Sequence, residues 1–199
     1  MVAGSLALCL AYAVVRYHVF GPVAWSHLPL YTFNKAVAFA AAILLASAYL
    51  GGNGGFARRA GLAGFGFAAL HSLMSLALLS PNSYPKLFED GRPNLAGGIS
   101  ILCGCLPLLV WILLAVFSIP AAADGLPPDR FGTLRSLGYW ALGLTGAHVA
   151  AMGWKGWTEP RSWPAGIPPI TLLLFVVVVL PLGRKMRLTP FWIRRRRIG

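Results

Sequence analysis

Carboxylates are nearly missing from this chain: five Asp and Glu stand against 17 Lys and Arg in 199 residues, a formal net charge of +12. Charge of either sign is scarce, at 11% of residues, where a soluble domain carries about a quarter. With 57% apolar residues and a mean hydropathy of +0.69, the composition argues against a water-soluble globular enzyme and excludes a disordered chain. Cysteine is limited to Cys9, Cys103 and Cys105, all inside apolar runs. Three thiols cannot pair completely, and two residues apart on a helix Cys103 and Cys105 point to nearly opposite sides, so they share no metal. They read as small lipid- or core-facing residues. No G-x-G-x-x-G stands in a strand–helix context. No aromatic-basic face accompanies the positive charge either, so nucleic acid is not its expected partner.

What the chain has instead is long apolar runs. A spanning helix needs about 20 mostly apolar residues, and six candidates occur at approximately 2–20, 31–50, 60–80, 96–119, 136–154 and 168–183. Turn chemistry punctuates them: GGNGG at 51–55, Pro81-Asn82-Ser83, Pro127-Pro128-Asp129 and Pro168-Pro169. The first run has no basic n-region and no convincing small-residue cleavage site, which predicts a retained span. The expected fold is an all-α integral membrane protein, a six-transmembrane-helix bundle in one domain over 1–183, followed by a basic tail at 184–199.

Orientation follows from the basic residues between runs. With the N-terminus inside, the inner segments hold eleven Lys and Arg, including Arg58, Arg59, Arg130, Arg135 and the seven of the tail, and the outer segments hold six. Both termini are therefore expected in the cytoplasm, in a multi-pass protein of the cell (inner) membrane. The tail FWIRRRRIG would lie against anionic lipid. Trp25, Trp154, Trp157 and Trp163 fall at the outer ends, where an aromatic belt belongs.

Ionisable groups in hydrocarbon are expensive and mark function by default. Two histidines lie in the middle of spans, His71 and His148. His71 follows Arg59 by 12 residues and His148 follows Arg135 by 13, so both sit about 18–20 Å from the inner charge layer at 1.5 Å per residue. Two imidazoles at one depth are what a b-type haem requires as axial ligands. Small neighbours on the same helical faces, Gly64 and Ala68 before His71 and Ala141 and Thr145 before His148, would leave room for a flat ring. The plainer reading is that each histidine is a hydrogen-bonded packing residue. A proton or metal-ion path competes as well, but no Asp or Glu lies beside the pair. Thirteen residues before the two histidines stand Arg58 and Arg135 rather than further histidines, which predicts one haem, on the outer side.

Four stretches carry a family likeness: PLYTFNKAVAFAAAILLASAYLGG (29–52), RRAGLAGFGFAALHSLMSL (58–76), LLAVFSIP (113–120) and LGYWALGLTGAHVAAMGWKGW (137–157). In them the chain resembles the membrane domain of the STEAP metalloreductases, within the ferric reductase-like transmembrane group. The resemblance implies haem b on His71 and His148, and outward electron flow to Fe(III) or Cu(II). It also implies a flavin such as FAD at the inner face, near Ser118 of the S-I-P segment, with Arg58, Arg59 and Arg135 within reach of its phosphates. The plain reading of those arginines is positive-inside anchoring. A homotrimer is a further expectation of the family.

Departures from the pattern shape the expected mechanism. Active family members carry a nucleotide-binding domain before helix one, which here starts at residue 2, and their Trp-Arg pair before helix five is reduced to Asp129-Arg130. A separate cytoplasmic NAD(P)H/flavin reductase is therefore the expected donor, and the chain is expected to be an oxidoreductase only in its company. On the outer side His18, His27, Lys86, Arg92, Lys155 and Arg161 could hold an anionic metal chelate, although the two histidines could equally be ordinary interfacial residues. One alternative is the haem subunit of a two-component oxidoreductase feeding a periplasmic enzyme such as a methionine sulfoxide reductase. Another is a non-catalytic transporter or assembly protein whose histidines only pack.

Overall fold

The computed structural model describes residues 1–51, 54–119 and 127–188. Six long helices account for most of them: α1 (Val2–Val14), α2 (Phe33–Leu50), α3 (Gly55–Leu78), α4 (Leu95–Val116), α5 (Pro128–Trp157) and α6 (Ile170–Leu188). A wide turn over Val15–Val19 prolongs α1, and a second one, Leu28–Thr32, leads into α2. The connector between α3 and α4 holds a two-residue hairpin, with β1 (Phe88–Glu89) antiparallel to β2 (Arg92–Pro93). Asp90 and Gly91 close it with φ of 49° and 74°, the paired positive φ that an Asp-Gly hairpin turn supplies. Asn94 then caps α4, its Oδ1 accepting from the Gly97 N–H at 2.9 Å.

Helices α2 to α6 form a closed ring in which each packs on the next and α6 returns to α2, while α1 lies against α2. Alanine makes this possible. Ala36, Ala40, Ala41, Ala42, Ala46 and Ala48 are buried on α2, and small side chains let helix backbones approach closely where lipid gives no hydrophobic drive. At Gly64 of α3 a Cβ would meet the Leu45 side chain at 2.8 Å and its backbone nitrogen at 3.0 Å. That glycine serves the α2–α3 contact.

The outer surface is apolar. Leu8, Leu73, Leu76, Leu102, Leu109 and Leu180 are all exposed, a surface that water would penalise and hydrocarbon accepts. Five helical stretches are long and apolar enough to cross a membrane: Val2–Val19, Trp25–Leu50, Gly55–Leu78, Leu95–Val116 and Pro164–Arg187. The chain is thus an all-α, multi-pass membrane protein. The fifth sequence run, expected at 136–154, belongs to the 30-residue α5, whose length of about 45 Å is ample. Its glycines with Tyr139, Trp140 and His148, and the charged residues at its two ends, make it less apolar than the other five. Its start at Pro128 precedes the expected one because Pro fits the first helical turn without losing a hydrogen bond. Helix α6 likewise continues past Gly183 to Leu188, so Arg184, Lys185 and Arg187 of the expected tail are helical. The remainder of that tail, 189–199, lies outside the described residues, as does Pro120 of the S-I-P segment.

A candidate cofactor site between two histidines

The ring of helices encloses a cavity of about 290 Å³, walled by all five members and closed at one end by Tyr84 and Leu87 of the α3–α4 connector. That volume is near the lower bound of cofactor-sized clefts, about 300–1,000 Å³. His71 from α3 and His148 from α5 both line it, with ring centroids 6.4 Å apart and planes at 73°.

Each imidazole is pinned by one nitrogen. His71 Nδ1 is 2.7 Å from Asn34 Oδ1, and Asn34 is itself oriented by donating through Nδ2 to Ser75 Oγ at 3.0 Å. His148 Nδ1 is 2.7 Å from the Ser100 carbonyl oxygen and 3.1 Å from the Ser100 hydroxyl. A carbonyl oxygen accepts only, so both Nδ1 atoms donate. In a neutral ring the proton is then on Nδ1 and the lone pair on Nε2. No described residue bonds either Nε2. The arrangement is that of metal-ligating histidines, whose second nitrogen is commonly held by a carbonyl or carboxamide partner.

The donor set decides which metal group fits. Among the described residues no cluster of three or more His, Cys, Asp or Glu is placed to hold an ion. Two imidazole donors suit a metal that brings its remaining ligands with it, as an iron porphyrin does. Two rings bound to one metal at about 2 Å on opposite sides have centroids roughly 6–6.5 Å apart, and the observed 6.4 Å falls in that interval. The wall accommodates a flat apolar ring: Ala38, Ala41, Ala42, Ala68 and Gly104 line the cavity. A Cβ at Gly104 would stand 3.1 Å from His148 Nδ1, so glycine there gives the imidazole its place.

Of the small residues expected to make room for a ring, Ala68 and Thr145 line the cavity, whereas Gly64 packs on Leu45 and Ala141 is fully buried. Asn34, Ser100 and Gly104 were not legible as site residues. They reach the histidines across 37, 48 and 44 positions of chain, and no local spacing encodes such pairings.

The expected flavin residues lie toward the other end of the bundle. Arg58 and Arg59 are exposed on the first turn of α3, with Arg59 Nε donating to the Gly55 carbonyl at 3.2 Å. The Ser118 hydroxyl donates back to the Leu114 carbonyl at 2.7 Å. Arg135 is the one tied to the cavity wall. Its guanidinium lies 5.9 Å from the Tyr49 ring, and Tyr49 meets Trp111, a lining residue, at 6.1 Å. Tyr49 also contacts Tyr139 at 4.8 Å, and Lys185 Nζ lies 4.0 Å over the Tyr139 ring. Gly138 of the Leu-Gly-Tyr segment is what admits Tyr49, since a side chain there would collide with the phenol.

The expected chelate residues divide. His18 is buried, with Nδ1 2.9 Å from the Val23 carbonyl, Nε2 2.8 Å from Thr32 Oγ1 and its ring stacked on Trp25 at 4.7 Å. It is a packing residue of the α1–α2 connector. His27 packs edge-on against Tyr31, and Lys86, Arg92, Lys155 and Arg161 are exposed.

No protein-family model matches the chain. Among curated proteins it is similar to "Metalloreductase STEAP3" of Rattus norvegicus, 32% identical over 145 residues that cover 63% of this chain and 30% of that protein. It is also similar to "Metalloreductase STEAP2" of Mus musculus, 30% identical over 150 residues, 67% of this chain and 31% of that protein. The chain spans under a third of the length of these curated relatives, and over about two thirds of its own length it is related to STEAP-type metalloreductases.

Proposed function

We propose that the chain is a single-haem transmembrane electron carrier that reduces Fe(III) or Cu(II) chelates at the outer face of the cell membrane. Its electrons would come from a separate cytoplasmic NAD(P)H/flavin reductase. The observation that carries this reading is the pair of imidazoles 6.4 Å apart that line one apolar cavity, each held through Nδ1 and with no described residue bonded to Nε2. The two relatives bearing the name metalloreductase support the choice of acceptor.

When bound, haem b would supply a one-electron couple. His71 and His148 would hold the iron, while Asn34 and Ser100 fix the tautomer and ring angle of each ligand. Ala38, Ala41 and Ala42 of α2 would give the ring an apolar wall. Metal reduction needs no acid–base group. Arg135 and Lys185, gathered over Tyr49 and Tyr139, supply positive charge at the face where a flavin phosphate or an acidic donor protein would dock. In this reading α5 is a sixth span and both termini are cytoplasmic.

The test is a reduced-minus-oxidised spectrum of the purified protein with haem-to-protein stoichiometry, repeated for H71A and H148A. One haem per chain and a reversible b-type band, lost in either variant, is the expected result. Unchanged spectra in both variants, or no band in the parent protein, would overturn the reading.

A further inference from the structure

Next to Asn34 stands Lys35, which lines the same cavity as His71 and His148. Its ammonium is held by three aromatic faces from three separate segments. The Tyr31 ring lies 4.4 Å away, Tyr17 5.3 Å and Tyr84 5.9 Å. Tyr17 comes from the turn that prolongs α1, Tyr31 from the turn entering α2, and Tyr84 from the α3–α4 connector. Tyr31 and Tyr84 also touch each other, with centroids 5.9 Å apart. No carboxylate pairs with Lys35 among the described residues; its charged and titratable neighbours are these three tyrosines and His71. Burial holds the Tyr84 phenol above its ordinary range despite the opposing pull of Lys35, so at neutral pH its ring is a neutral π face rather than a counter-ion. A cation so placed is oriented but not neutralised.

We propose that Lys35 is an anion subsite of the cavity, set by its tyrosine cage to take a carboxylate on the rim of the ligand that His71 and His148 grip. The inference rests on the haem reading above and adds which edge of the ligand faces the α3–α4 connector. It follows from charge and position. A lone ammonium in the wall of an apolar cavity is costly unless an anion arrives with the ligand, and a porphyrin that carries carboxylates at one edge brings one. Lys35 is a positioning residue in this scheme; it touches the rim of the ligand and not the metal.

The experiment compares two probes on the full chain prepared without porphyrin: iron protoporphyrin IX and its dimethyl ester, each titrated by Soret absorbance. Both can be held by two imidazoles, but only the first carries free carboxylates. The parent protein is expected to bind the free acid about tenfold more tightly than the ester, a charge-assisted preference. K35M should abolish that preference by weakening the free acid alone, and K35R should retain it. Equal affinities for the two porphyrins in the parent protein, or an unchanged ratio in K35M, would overturn the subsite while leaving the histidine site intact. Failure of both porphyrins to bind the parent protein would overturn the haem reading and the subsite together. Because the acid-to-ester ratio is measured on the parent protein, the result does not depend on K35M folding.

Discussion

Asn34 serves two partners at once, accepting from His71 Nδ1 through its oxygen and donating to Ser75 through its nitrogen. The carboxamide is almost fully enclosed, at 1% exposure, so its orientation is set by these bonds and it transmits that orientation to the imidazole. Removing such a partner typically weakens metal binding about 10–100-fold. In the proposed haem site N34A is accordingly expected to lower haem affinity by that order in a titration of the cofactor-free protein, with His71 and His148 both still present. Affinity within twofold of the parent protein would show that His71 is positioned by packing alone. The histidines themselves were legible in the sequence because an ionisable group in an apolar run has few explanations. The Lys35 cage was not, because Tyr17, Tyr31 and Tyr84 become neighbours only after three connectors fold over the end of the bundle.

At the scale of elements, α2 is the axis on which the site is built. Over its apolar window 61% of residues are buried, against 11–28% for the other apolar spans, and it contributes Asn34, Lys35 and the alanine wall of the cavity. Its alanines and the glycines facing it set helix spacing. The contrast between Gly64 and Gly61 of α3 isolates that effect. A methyl at position 64 runs into the Leu45 side chain and backbone nitrogen, whereas one at 61 meets Ala48 Cβ at an ordinary 3.7 Å. G64A is expected to destabilise the protein by about 1–3 kcal/mol, the usual cost of overpacking. G61A should be neutral or slightly stabilising, since Ala outranks Gly in a helix. Thermal unfolding in detergent checks both, and L45A should rescue G64A only in part because the backbone contact remains. Spans in the sequence were readable to within a few residues wherever apolar runs met Gly or Pro. The start of α5 was not, because its first turns are polar and only the Pro127-Pro128 pair marks them.

For the whole molecule the question is whether α5 crosses the membrane with the five apolar helices. Its composition alone leaves it out: residues 136–154 carry no Asp, Glu, Lys or Arg, but their glycines with Tyr139, Trp140 and His148 lower the hydropathy of the run. Its contacts support the proposed sixth span. Near its start the Arg135 carbonyl accepts from the Tyr49 hydroxyl at 3.1 Å, beside the C-terminal end of α2, where Arg184 Nη1 also donates to the Leu50 carbonyl at 2.6 Å. Thirteen residues later His148 meets Ser100 near the start of α4. At its end Trp157 Nε1 donates to Thr171 Oγ1 at 2.9 Å, at the start of α6. Helix α5 therefore runs from one end of the bundle to the other beside helices that are apolar enough to span, and a helix shielded by α4 and α6 tolerates more polarity than one facing lipid. Six crossings put the Asp90 turn and the Glu159 turn on the same side of the membrane; five would put them on opposite sides. In a background with Cys9, Cys103 and Cys105 replaced by Ala, D90C and E159C should both react with a membrane-impermeant maleimide added outside intact cells, and a cysteine at Gly54 should not. Labelling of D90C without E159C would remove α5 from the spans, and with it the shared inside-to-outside direction of α3 and α5 that brings His148 to the depth of His71.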